Sequence, residues 1–159
     1  MTTIYHLEMT DKPATQAQIP APLTINEIKT DQPLFNRFLY ELVGTDWQWT
    51  DKSALSDKDW AHYVCRTDLR TWVAYYEGAI AGYFELEKQN NQVELKYFGL
   101  VKEFIGKGFG RPLLTYAIEQ AWKITGIQRV WVHTCSLDHP NALNNYQKCG
   151  FRLYKTEQE

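Results

Sequence analysis

Apolar and polar positions change period several times along the chain, and each change marks an element. Alternation at period two runs from Ile4 to Met9 and again from Leu23 to Ile28. It predicts two short strands, the first at a sheet edge. Between them Lys12 to Pro22, rich in Pro, Ala and Gln, reads as a surface connection rather than a domain linker. From Pro33 the period lengthens: Leu34, Phe35, Phe38, Leu39, Leu42 and Val43 recur at helical spacing until Gly44. Asp46 to Asp51 (DWQWTD) is a loop carrying two tryptophans. Ser56 then suits the N-cap of a second helix with Trp60, Tyr63 and Val64 on one side.

Three strands with tight turns follow. Thr71 to Tyr76 ends at Glu77-Gly78, a usable hairpin turn. Ile80 to Leu86 alternates, with Ile80, Gly82, Phe84 and Leu86 on one face and Tyr83, Glu85 and Glu87 on the other. Asn90-Asn91 turns into Val93 to Leu100. Leu113, Leu114, Ala117, Ile118 and Ala121 mark the buried stripe of a helix ending near Gly126. Arg129 to Cys135 (RVWVHTC) reads as a strand buried on both faces. A short helix capped by Asp138 or His139, with Pro140 in its first turn, runs to Gly150, and Phe151 to Tyr154 forms a last strand. The order αα-βββ-α-β-α-β predicts an α/β sandwich on a mixed sheet.

The chain turns on Val93 to Leu114, a strand followed by Gly106, Gly108 and Gly110 in alternation and then a helix with Pro112 in its first turn. Free N–H groups and the positive end of a helix dipole suit such a turn to phosphate or pyrophosphate, and Arg111 adds a charge beside it. The pattern is neither the Walker loop nor G-x-G-x-x-G. Its plain alternative is a turn that only packs strand against helix.

Composition narrows the field. The 159 residues fit one domain, and 44% apolar with 23% charged residues describe an ordinary globule. A net charge of −2, without a basic run interleaved with aromatics, argues against a nucleic-acid surface. There is no membrane-length apolar stretch and no signal-peptide pattern. With three cysteines in no framework spacing, the expectation is reduced thiols in a cytoplasmic protein. Scattered histidines predict no metal site. Cys135 and Cys149 lack an evident activating base, which disfavours a thiol nucleophile.

The glycine turn, the strand and short helix after it, and the closing Cys149-Gly150-Phe151 together resemble the GNAT superfamily of N-acetyltransferases. The likeness is clearest from Thr71 to Tyr154. It implies a three-layer α/β/α sandwich with a mixed, splayed sheet over residues 1–159. Residues 1–70 or so would then form the acceptor side, and about 71–155 the acetyl-CoA-binding core. In that family the pyrophosphate lies on Arg/Gln-x-x-Gly-x-Gly/Ala. Here that is Ile105-Gly106-Lys107-Gly108-Phe109-Gly110, with Ile105 in place of the polar residue and the backbone cradle retained. The second motif, Asn-x-x-Ala-x-x-x-Tyr before Gly-Phe, matches at Ala142, Tyr146, Gly150 and Phe151, with His139 in place of Asn.

The resemblance assigns acetyl-CoA contacts to Gly106 through Arg111 and to the backbone of Phe98, Gly99 and Leu100, where the pantetheine adds as a pseudo-strand. Gly99 is a plausible bulge. His139 either takes over the missing Asn's contact or caps its helix. Tyr146, on the inward face with Ala142 and Leu143, takes the general-acid role or is a core tyrosine. Strict alternation puts Glu94 and Lys96 on one face with Phe98 and Leu100, and charges on a covered strand must reach a cavity. Glu94 falls where family members place a general base. Lys96 would weaken it, Glu85 is the alternative, and the plain reading is a solvated strand end. Trp47 and Trp49, with Trp60, Tyr63 and several Asp nearby, suggest the pocket of an amine acceptor, or else ordinary core. The expected activity is direct acetyl transfer to a primary amine, more naturally a small molecule than a protein. A homodimer is compatible with it. The other readings are a non-catalytic CoA-binding module and a domain that binds another nucleotide.

Overall fold

The computed structural model describes Met1–Glu159. Seven strands form one sheet: β1 (Thr3–Met9), β2 (Leu23–Ile28), β3 (Leu69–Tyr76), β4 (Ala79–Gln89), β5 (Gln92–Leu100), β6 (Arg129–Cys135) and β7 (Arg152–Gln158), in the order β2-β3-β4-β5-β6-β1-β7. Only the β5–β6 pair is parallel. Helices α1 (Pro33–Gly44) and α2 (Asp57–Val64) lie on one face, α3 (Gly110–Lys123) and α4 (Ala142–Lys148) on the other. The result is the expected three-layer sandwich. No helix is long and apolar enough to cross a membrane.

The layers follow the periodicities. Leu113, Leu114, Ala117, Ile118 and Ala121 of α3 are buried against Phe84, Leu86, Leu95 and Val130 of the sheet. Each large aliphatic side chain so buried contributes about 1.5–3 kcal/mol relative to exposure. On the opposite face Leu39 and Val43 of α1 meet Val73 and Tyr83. Ser56 caps α2 as expected: its side chain accepts from the Asp59 amide at 3.1 Å, and Asp59 accepts from the Ser56 amide at 3.2 Å. That reciprocal box satisfies two donors a helix start leaves free.

Seven expectations are corrected. β1 is not an edge strand, because β7 pairs along its outer side and β6 along its inner side. β6 is buried on one face only, by Val130, Val132 and Thr134, while His133 is exposed. The α1 and α2 cores draw on β2 to β5, so no helix stands over the other face of β6. α4 begins after Asn141 without a side-chain cap, and neither Asp138 nor His139 takes that place. The last strand starts at Arg152 and runs to Gln158, with Phe151 buried in the core before it.

The fifth correction concerns β5. Against β4, Tyr97 faces Glu85 and Leu95 faces Leu86, which leaves Lys96 as an extra residue. The bulge inverts the alternation: Leu95, Phe98 and Leu100 pack on the α3 side, whereas Tyr97 packs among α1 and α2. Glu94 and Lys96 therefore do not share a face with Phe98 and Leu100. The bulge is not at Gly99, whose smallness serves packing instead: a Cβ there would lie 2.5 Å from Val43 Cγ1. A second irregularity, at Ala81, turns Ile80 from the Phe84 face to the Tyr83 face.

Candidate active site

The parallel pairing of β5 with β6 covers only Gln92–Glu94 against Arg129–Trp131. Beyond it the two strands part, and backbone from Leu95 to Leu100 faces backbone from Val132 to Cys135 across a cleft of about 1290 Å³. A pocket for a drug-sized ligand occupies roughly 300–1,000 Å³, so this one has room for a cofactor arm and an acceptor together.

The glycine turn forms one mouth of the cleft. Gly106 and Gly108 both have φ of +83°, and both line the cavity with Gly110 and Arg111. No backbone amide from Gly106 to Arg111 donates to a protein acceptor, and α3 has no side-chain cap. A helix start left with free donors in a cavity suits a phosphate group. The Phe109 side chain turns away into the core, 5.4 Å from the Tyr76 ring and 6.3 Å from that of Phe104, and anchors the turn. Phe109 itself does not line the cavity, and its amide is unpaired. The Lys107 side chain lies outside the cavity lining, while Ile105 and the strand residues Phe98, Gly99 and Leu100 line it.

Tyr146 reaches the cleft from α4, buried with its ring 6.3 Å from Phe98 and 5.8 Å from Phe151. Burial pushes its phenol above the ordinary tyrosine value, and the Asp138 carboxylate adds to the rise. The group stays protonated and can donate.

Glu94 lines the same cleft from the strand β5, its side chain only 6% exposed. Gln89 Nε2 donates to Glu94 Oε1 at 3.0 Å and to Glu87 Oε2 at 2.8 Å. The Trp131 indole donates to Gln89 Oε1 at 3.3 Å, which sets the way the amide faces. Lys96 Nζ and His133 Nε2 each lie 3.8 Å from a Glu94 oxygen. Burial raises the Glu94 pKa, and that outweighs the lowering by Lys96, Gln89 and His133. The upward direction makes this carboxylate a better proton acceptor than an ordinary exposed one. Gln89→Leu removes a donor that favours the anion, so the acid limb of the pH–rate profile should move to higher pH, as initial rates across pH would show.

Glu85, the alternative base, is fully buried away from this cleft. It accepts from Tyr63 Oη at 2.6 Å and Asn36 Nδ2 at 3.0 Å. Tyr63 thus serves the interior, as does the buried Trp60. Trp47 and Trp49 do line the cleft and reach across it: the Trp47 ring stands 5.2 Å edge-on from His139, and Trp49 Nε1 donates to Asp138 Oδ1 at 3.2 Å. His139, also on the cleft, accepts the Asn141 amide at Nδ1 over 3.1 Å.

Three cleft residues escaped the sequence reading. Asp138 is on sequence only a candidate cap, yet it accepts from Thr134 Oγ1 and from the Cys135 amide at 3.0 Å. His133 was hidden by the assumption that both faces of its strand are covered. Asp51 stood among several Asp with nothing to single it out; it accepts from the Tyr40 and Tyr97 hydroxyls.

A splayed parallel pair, a glycine turn with free amides at a helix start and a buried tyrosine meet in one cleft. Residues 36–151 match the model described as the acetyltransferase (GNAT) family, and the chain belongs to that family. Among curated relatives, a spermidine N(1)-acetyltransferase of Vibrio cholerae is 31% identical over 52 residues, 33% of this chain and 30% of that protein. A probable spermine N(1)-acetyltransferase of Bacillus subtilis subsp. natto is 26% identical over 110 residues, 64% of this chain and 68% of the relative. In structure, a GCN5-related N-acetyltransferase from Sphaerobacter thermophilus superposes with a TM-score of 0.71 at 16% identity, over 98% of this chain and 49% of that one. The chain thus spans less than a third of the Vibrio protein and about half of the Sphaerobacter protein.

Proposed function

We propose that this protein transfers an acetyl group from acetyl-CoA to the primary amine of a small molecule, by direct attack and without a covalent enzyme intermediate. The observation that carries the reading is the run of unpaired amides from Gly106 to Arg111 at one mouth of a cleft that also holds Tyr146 and Glu94. The amine acceptors named for the two curated relatives support a small amine as substrate.

Acetyl-CoA supplies an activated acyl carbon and a thiolate leaving group. The turn holds the diphosphate through its amides, with Arg111 beside it. Strand β5, unpaired toward β6 from Leu95 on, offers backbone at Phe98, Gly99 and Leu100 to the pantetheine amides. One of those freed N–H groups faces the thioester oxygen as charge develops there. Glu94 takes a proton from the acceptor ammonium, directly or through water, so that the nitrogen lone pair can attack. Tyr146 gives its proton to the sulfur as the C–S bond breaks, and the second proton that the nitrogen sheds on becoming an amide restores the phenol. Trp47 and Trp49 wall the acceptor side, and His139 fixes the Trp47 ring.

Thiol release with a panel of amines tests the activity; no product from any amine would leave a CoA-binding module. Calorimetry against ATP and NAD tests the donor, since either should bind far more weakly than CoA. The turn has its own test. A Cβ at Gly108 meets nothing within 4 Å, so Gly108→Ala is opposed only by its positive φ. That conformation costs an ordinary residue about 1–2 kcal/mol. The altered turn relaxes to negative φ and withdraws its amides, so CoA should bind about tenfold more weakly by calorimetry.

A further inference from the structure

We propose that the second pocket, which shares Lys96 with the cleft, is an acceptor subsite for an anionic oxygen group, a carboxylate or phosphate carried by the amine substrate. This deepens the acetyl-transfer reading and rests on it for the role of the amine. The pocket, about 490 Å³, is lined by Lys52, Arg66, Lys96, Tyr63 and Glu87, among others. Lys96 lines both it and the main cleft, so the two cavities share one ammonium.

Two of the three cations there have no close ion pair within the chain. Arg66 is paired with Glu87 at 2.6 Å, and Glu87 also accepts from Gln89. Asp59 is occupied by the Ser56 amide in the cap of α2. Lys96 has only a loose partner, Glu94 at 3.8 Å. Lys52 has no carboxylate at ion-pair distance; its Nζ stands 4.1 Å over the Tyr63 ring and 5.9 Å from that of Tyr97. Burial, with Lys96 next, pushes the Lys52 pKa down, and the more distant Asp51 and Glu85 carboxylates offset only part of it. A half-buried, unpaired cation is unfavourable unless something neutralises it.

A substrate anion is the missing partner. Glu94 Oε1 and Lys96 Nζ are 3.8 Å apart, so an acceptor with its amine at Glu94 places a carboxylate or phosphate a few bonds away against Lys96 and Lys52. A polycationic acceptor would instead set its second ammonium beside two lysines. The other carboxylates on that side are already engaged, Asp51 by two phenols and Asp138 by Trp49, Thr134 and the Cys135 amide.

The test has two arms. In the first, thiol release is followed with acetyl-CoA and a length series of ω-amino carboxylates and aminoalkyl phosphates, their neutral amide counterparts and matching diamines. Anionic acceptors should exceed the neutral ones in kcat/KM by about tenfold or more at the best length. Lys52→Met should bring that ratio close to one, and Lys52→Arg should keep it. Diamines or amides preferred over anions, or a ratio unmoved by Lys52→Met, would overturn the subsite. The second arm needs no turnover: calorimetry of glutarate and of inorganic phosphate, without CoA, on the wild type and both variants. Binding lost in Lys52→Met and kept in Lys52→Arg supports the subsite even if no amine is acetylated, in which case only the transfer reading falls. If neither anion binds, the subsite is refuted even though acetylation proceeds.

Discussion

Glu94→Gln should lower kcat for amine acetylation by about 10²–10⁴, the span a positioned proton acceptor contributes, with little change in CoA affinity. The substitution keeps the shape and the oxygen that accepts from Gln89, and it removes the negative charge and with it the ability to take a proton. Its diagnostic is the pH profile. Burial raises the Glu94 pKa, so at low pH the carboxyl is protonated and cannot act. Activity should rise with pH through a limb displaced upward from that of an exposed glutamate, and that limb should vanish in the variant. A limb that survived unchanged in the variant would show that a group other than Glu94 accepts the proton.

Tyr146→Phe should also cut kcat, again by about 10²–10⁴, while leaving CoA binding and thermal stability near wild type. The hydroxyl has no hydrogen-bond partner in the protein, so its loss orphans nothing, and the ring keeps its contacts with Phe98 and Phe151. Because burial and Asp138 hold the phenol pKa above its ordinary value, the wild type should retain this proton donor throughout the neutral and mildly alkaline range. Single-turnover measurements with a good acceptor would separate the slowed chemical step from binding. A Phe variant with unaltered chemistry would make Tyr146 a packing residue.

Much of this was legible in the chain because its causes are local. Gly106 and Gly108 adopt the positive φ that glycine alone takes without strain, and Pro112 sits in the first turn of α3. Ser56 and Asp59 lie three residues apart and cap one another. The stripe from Leu113 to Ala121 buries the face its spacing named. In each case the deciding residues are neighbours along the chain, so sterics and hydrogen bonding within a turn or two suffice.

The remainder depended on partners remote in sequence. One extra residue at Lys96 turned Phe98 and Leu100 away from Glu94, since side chains in a strand alternate and a slip of one inverts every later position. Whether β1 lay at an edge depended on β7, more than a hundred residues away. Glu85 and Glu94 sit on adjacent strands with similar surroundings in the sequence, yet Tyr63 and Asn36 seal one while the parting of β5 from β6 opens a cleft beside the other. The sequence by itself determined the turns, the caps and the kinds of chemistry on offer. Only the tertiary structure decided which groups meet, because burial, pairing and cavity are set by atoms the chain brings together from a distance.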